Sequence, residues 1–279
     1  MPRHSFKKLS ARNLTEFVEV VEWLQSAHDG PLWYRGCGRL QFELSPSLFR
    51  HGNSRTKADL IRLEKDLINR FEERSETFNI SRNTHNSHWA LLFLMQHYRV
   101  PTRLLDWTEN PLVALYFALS SAHQERVSHD VDHYPGSACV WVLRPDQWNE
   151  AVRRKRGGDR RIFAHREREV SVYEPTSESP SWADDIELNP VAIFGVHNSP
   201  RIIAQKGVFT VFGGGPSSME MCHKVNTLDP NLLVRIEIDR RAIHALRHSI
   251  LNHGITESMV FPDLEGLAME LRRTFGFDQ

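Results

Sequence analysis

The sequence predicts an α+β fold, with a helical N-terminal part at about residues 13–122 and a strand-rich part at about 138–279. Two observations predict it. Apolar residues recur at helical spacing mainly in the first half, whereas short β-branched and aromatic runs crowd the second. Helices and strands that segregate along a chain, instead of alternating, argue against a regular doubly wound parallel sheet. No internal repeat divides the chain, so residues 1–279 read as a single domain. A polar, Arg-, Ser- and Pro-rich loop excursion interrupts it at about 144–190.

Each element has its local reason. Asn13 or Thr15 caps a helix carrying Phe17, Val20, Val21 and Leu24 on one face, and Gly30-Pro31 ends it. Leu32-Trp33-Tyr34-Arg35 reads as a strand leading into a loop punctuated by Gly36 and Gly38, and Leu44 to Leu48 as irregular. Residues 58–77 form a helix with Leu60, Leu63, Leu67 and Phe71 as its stripe. A more apolar helix runs from Trp89 to His97. Val100-Pro101 breaks it, because the residue before proline avoids helical dihedrals.

Thr102 to Trp107 reads as a short buried strand. Pro111 suits the first turn of the next helix, to about Ala122, with Thr108 or Asn110 as cap. Further strands are expected at 138–143, 191–194, 201–205, 208–212 and 232–238. The final helices are expected at 244–252 and 264–275.

Composition excludes several classes. Lys plus Arg equals Asp plus Glu, so no global field favours nucleic acid or a membrane surface. The basic stretch Arg153 to Arg156 with Arg160 and Arg161 reads first as a solvated loop. Three scattered cysteines without a CxxC pair argue against a disulfide scaffold and a cysteine zinc site, and fit a reducing cytoplasm. Residues 1–11 do not read as a signal peptide, and no apolar run approaches a membrane span. His85 and His88 invite a metal reading, but no HExxH or HxH unit supports it, and no metal is expected. Walker, GxGxxG and GxSxG signatures are absent.

Functional chemistry concentrates in Leu32 to Gly36 and in Met95 to Ala118, where ionisable side chains sit among large apolar ones. Arg35, His97, Arg103 and Asp106 must therefore find partners, a ligand or a wet cleft. Arg35 suits anion or nucleotide binding, or else a salt bridge to Asp106. His97 and Asp106 read either as general base and orienter or as a helix-terminal histidine beside a structural ion pair. Gln205 reads either as a base-binding or as a core amide.

Tyr34-Arg35-Gly36 and the run Gln96-His97-Tyr98 to Phe117-Ala118 resemble the FRG domain family, named for its aromatic-Arg-Gly triplet. Arg99 stands where the family pattern has glycine. Arg201 to Thr210 and Phe261 to Leu267 resemble its later motifs, so the resemblance covers about Asn13 to Phe275. The order of segments also resembles Arg-Ser-Glu ADP-ribosyltransferases: Tyr34-Arg35-Gly36, then Leu105 to Thr108, then Ala114 to Ala118, then Gly207 to Val211.

That second resemblance implies a split mixed sheet and NAD as substrate. It places Arg35, Tyr34, Gly36, Arg103, Arg201 and Gln205 on the dinucleotide, and Tyr116 or Phe209 stacked on nicotinamide. Thr108 would touch the ribose, with His97 and Asp106 handling protons. It also implies an acceptor protein or nucleic acid, and a toxin or phage-defence setting with an antitoxin or other regulator as partner. The chain departs from the pattern in two ways: Asp106 and Thr108 replace serines, and no carboxylate lies in 199–210, where the catalytic Glu is expected. Either another residue serves, or the domain is a nucleotide-binding sensor without turnover. A His/Asp nuclease using the basic loop is a third reading.

Overall fold

The computed structural model describes residues 6–52, 56–75, 78, 88–126, 132–154, 157–174, 189–196, 199–213 and 218–277. Its centre is an eight-stranded mixed sheet in the order β1-β10-β6-β2-β3-β9-β8-β7. The strands are β1 (Lys7–Ala11), β2 (Trp33–Cys37), β3 (Leu104–Thr108), β6 (Ala138–Leu143), β7 (Phe163–Ala164), β8 (Val191–Phe194), β9 (Gly207–Val211) and β10 (Leu233–Ile238). β4 (Glu125–Arg126) and β5 (Asp132–His133) pair separately. β1 with β10 and β7 with β8 are parallel, and the other neighbours antiparallel.

Helices are α1 (Leu14–Ser26), α2 (Lys57–Ser75), α3 (His88–His97), α4 (Pro111–Ser120), α5 (Pro145–Val152), α6 (Pro200–Ala204), α7 (Met219–Val225), α8 (Ile243–Asn252), α9 (Glu257–Val260) and α10 (Leu264–Thr274). Among the described residues, none is long and apolar enough to cross a membrane. α1, α4 and α8 bury Phe17, Leu115 and Leu246 against Tyr34, Val140 and Ile236. α2 and α3 bury Leu60, Trp89 and Phe93 against Leu104, Ile193 and Phe209. Trp148 of α5 and Met219 of α7 cover another cluster, with Trp33, Trp107 and Trp141. The expected α+β class is the observed one, but helices and strands are interleaved along the chain and not segregated into a helical and a strand-rich part.

Several local expectations are met by recognisable physics. The Asn13 side chain accepts from the Glu16 amide, and the Asn110 side chain accepts from Leu112 and Val113 behind Pro111. Others need correction. Residues 201–204 lie in helix α6, with Gln205 as its C-cap, and form no strand, because Ser199 caps Ile202 and Pro200 presets the first turn. β1, α5 and α7 were not anticipated. β1 carries alternating polar residues, and it is the register with β10 that makes it a strand. Of the expected loop excursion, 155–156 and 175–188 lie outside the described residues, as does His85.

Candidate functional site

β2 pairs with β6 along its whole length, and β3 pairs with β9 along its whole length. β2 and β3 share a single register pair, Tyr34 with Thr108. Beyond that point the central strands part, and Arg35 occupies the parting. Its Nη1 donates to the main-chain oxygen of Asp106 at 2.5 Å and lies 3.9 Å from Asp106 Oδ2. A guanidinium thus supplies a rung where a backbone amide is lacking.

A cleft of about 420 Å³ opens at this parting. Its walls come from the β2 end and the segment after it (Arg35, Cys37, Phe42, Glu43, Arg50), from α3 (Phe93, Gln96, His97) and Arg99, from Phe117 of α4, and from Arg201, Gln205, Phe209 and Phe261. Aromatic faces and guanidinium groups therefore line one space.

Asp106 is held but not sealed. Gln96 Nε2 donates to its Oδ2 at 2.6 Å, and Gln96 Oε1 accepts from Thr102 Oγ1 at 2.5 Å. The side chain is 54 % exposed. Its pKa is nevertheless raised, chiefly by desolvation from the crowded cleft walls, against the opposing pull of Arg35 and Gln96. Burial, followed by the nearby charges of Arg35 and Cys37, perturbs Arg50: desolvation and Arg35 both lower its pKa. The Cys37 thiol, beside Arg35, is lowered, first by its hydrogen bond with Cys139, with Arg35 assisting and burial opposing.

The expected His97–Asp106 couple does not form. His97 Nδ1 lies 3.3 Å from Ser199 Oγ, and burial and then Arg201 lower its pKa against Asp263. The reason is local: Gln96, one residue earlier on α3, takes the carboxylate that was expected to orient His97. Both residues still line the cleft.

Arg103 is removed from the site altogether. It is fully buried, and its Nε and Nη2 donate to Glu64 of α2 at 2.7 and 2.6 Å. Tyr116 is likewise a core residue, 4 % exposed, with its hydroxyl pKa raised to about 12 mainly by desolvation; Phe117, one position on, faces the cleft. Tyr34 turns its ring into the core with Phe17 and Leu115, and burial raises its hydroxyl to about 12. Gly36 serves packing: an added Cβ would meet Ala114 O at 2.0 Å and Ala118 N at 2.4 Å, so only glycine lets α4 rest this close on β2.

Thr108 borders the cleft, but its hydroxyl is committed, donating to Gln205 O at 2.5 Å and accepting from the Asn110 amide at 3.0 Å. Gln205 donates to Val260 O at 3.0 Å. Arg201 lies over the Phe261 ring at 4.6 Å, with Asp263 at 3.3 Å and Glu265 at 3.5 Å. Phe209 packs on Phe93 with centroids 4.9 Å apart.

Arg35, Asp106 and the aromatic-Arg-Gly strand stand together at one opening, inside the stretch that a family model matches. Residues 30–127 match the FRG domain. The match begins just before β2 and ends after β4, so it takes in Arg35, Arg50, Gln96, His97 and Asp106 but leaves out Arg201, Gln205 and Phe209. The cleft is therefore built by the FRG segment and closed by later residues. No curated protein and no solved structure matches the chain.

Sequence reasoning missed Gln96, Arg50, Arg99, Phe93, Phe117 and Phe261 as cleft residues, and Glu64 as the partner of Arg103. For Glu64 a signal existed: it sits four residues after Leu60, on the apolar stripe of its helix, where a carboxylate needs a buried cation. Arg50 sits in no motif, and only the folding of its segment beside β2 reveals it.

Proposed function

We propose that the cleft binds NAD and breaks its nicotinamide–ribose bond, passing ADP-ribose to water or to an acceptor. The observation that carries this reading is geometric: two guanidinium groups, Arg35 and Arg50, line one aromatic-walled cleft. Among the described residues no carboxylate lies within 3.5 Å of Arg35, and no ion pair is formed by Arg50. A pyrophosphate would relieve the repulsion between the two cations through charge-assisted hydrogen bonds. Phe209, Phe117 and Phe261 offer ring faces for the nicotinamide or adenine.

Asp106 takes the central part in the chemistry. The C1′–N bond breaks with its electron pair moving to the pyridinium nitrogen, which leaves as neutral nicotinamide. The carboxylate of Asp106 stabilises the cationic ribose and accepts the proton of the incoming O–H or N–H nucleophile. Gln96 holds that carboxylate in place. Asp106 thereby stands in for the carboxylate that the stretch 199–210 lacks.

The test is incubation of the protein with NAD, reading nicotinamide release by chromatography and binding by calorimetry. Arg35→Ala is expected to weaken NAD binding at least tenfold, the loss of about 1.4 kcal/mol. Asp106→Asn is expected to bind NAD and not release nicotinamide. Binding by the wild type without release replaces this reading with the nucleotide sensor, a reading favoured by the committed Thr108 hydroxyl.

A further inference from the structure

Helix α10 is amphipathic, yet it is mounted with its polar side inward. Gly266 is buried, and an added Cβ there would meet Phe261 O at 2.0 Å. Glu270 accepts from the Ser258 amide at 3.1 Å and from its hydroxyl at 2.5 Å. Arg273 Nε donates to both oxygens of Glu257, at 2.9 and 3.0 Å. Positions 266, 270 and 273 share one face of a helix, so this face is the one attached to the body.

The opposite face carries Leu264, Leu267, Leu271 and Phe275, spaced by three and four residues. They are 83 %, 44 %, 47 % and 72 % exposed. A surface helix ordinarily turns such a stripe toward the core. Here the hydrogen bonds of Glu270 and Arg273 hold it outward, as a continuous apolar strip of the kind that marks an interaction surface.

Charge placement identifies the occupant. Glu265 lies in the first turn and Arg272 in the last, seven residues apart and therefore on the same flank of the stripe. Glu265 is 66 % exposed, and its contact to Arg201 is long, at 3.5 Å. An identical helix running in the opposite direction brings the same flank of both copies together and sets a glutamate against an arginine at each end, whereas in a parallel two-fold pair these flanks lie on opposite sides and the charges do not meet.

We propose that this chain forms a two-fold homodimer through α10. The two copies lie antiparallel, with the Leu264, Leu267, Leu271 and Phe275 stripes interleaved and Glu265 facing the partner's Arg272. One three-turn helix per copy offers less than the roughly 800 Å² per partner of a standard interface, so the dimer dissociates on dilution.

Sedimentation velocity over a concentration series tests this. The wild type is expected to pass from monomer to dimer as concentration rises. Leu267→Glu with Leu271→Glu is expected to remain monomeric with an unchanged thermal midpoint, since both side chains face solvent in the single chain. Glu265→Lys alone and Arg272→Glu alone are each expected to weaken dimerisation about tenfold, and the two combined to restore it. A wild type that stays monomeric at high micromolar concentration overturns the proposal. So does a dimer that survives the double leucine change, which would mean another face pairs, or a charge exchange that restores nothing.

Discussion

Two arginines, each near an acid, are treated in opposite ways by this fold. Arg103 at the edge of β3 is wholly buried and grips Glu64 through two hydrogen bonds of 2.6 to 2.7 Å. Arg35 on β2 keeps a quarter of its side chain exposed, bonds a main-chain oxygen, and stands 3.9 Å from the Asp106 carboxylate. The first pair has its charges matched through two buried hydrogen bonds, so it belongs to the framework. The second leaves charge unspent at an opening, so it belongs to whatever enters. Adjacent chemistry in sequence says little about which treatment an arginine receives; the exposure and reach of its partner decide it.

The contrast can be broken most forcefully at the sealed pair. Arg103→Met leaves Glu64 buried and unpaired, and is expected to cost about 3–5 kcal/mol. In a chain of this size that is a drop of roughly 10 °C in the thermal midpoint. Adding Glu64→Leu is expected to recover most of it, because the orphaned charge is then gone. Arg35→Met, by calorimetric comparison, is expected to cost only about 1 kcal/mol, one hydrogen bond in a wet cleft.

A smaller effect sharpens the picture at Arg99. Its φ of 60° is a left-handed backbone that side chains with a Cβ adopt at a cost. Arg99→Gly is expected to stabilise the fold by about 0.5–1 kcal/mol. Because Arg99 lines the cleft, the same change is expected to weaken NAD binding, by about fivefold, or about 1 kcal/mol. Thermal melts and calorimetry should thus move in opposite directions for one substitution.

The smallest effect is the pH response of Asp106. Folding raises this carboxyl above its ordinary 3.8, so the folded protein holds a proton that the unfolded chain has released. The wild type therefore loses this contribution as pH rises through the raised value. Asp106→Asn is expected to melt slightly higher than the wild type at neutral pH. That advantage is expected to fade as pH falls from the raised value toward 3.8, in melts followed by circular dichroism.

Much of the architecture was legible in the chain. The Asn110-Pro111 start of α4 and the strands at 138–143 and 191–194 follow from capping, periodicity and β-branched runs, whereas the expected segregation of helices from strands does not hold, since β1, β2 and β3 lie in the first part and α5 to α10 in the second. What escaped the reading depended on distant partners. A five-residue stretch such as 201–205 is apolar enough for a strand and becomes a helix with its C-cap through Ser199 and Pro200. Within the site, Arg35 and Asp106 stood out because charge beside large apolar groups demands an explanation. The exchange of His97 for Gln96 as the neighbour of Asp106 turns on one residue of helical rotation, about 100°, which spacing alone does not resolve. Likewise, Tyr116 and Phe117 divide between core and cleft according to how α4 is rolled on Gly36.

The parting between β2 and β3 has a mechanical consequence. Most pockets that open within a sheet would have to unzip it first. Here the seam is already undone after Tyr34 and Thr108, with a single guanidinium bridging it like a loose stitch. An occupant that took over that bridge would tie the two halves of the sheet to each other through itself. Its arrival would be felt as stiffening of the whole slab, measurable as slower amide exchange in β6 and β9, strands on either side of the seam.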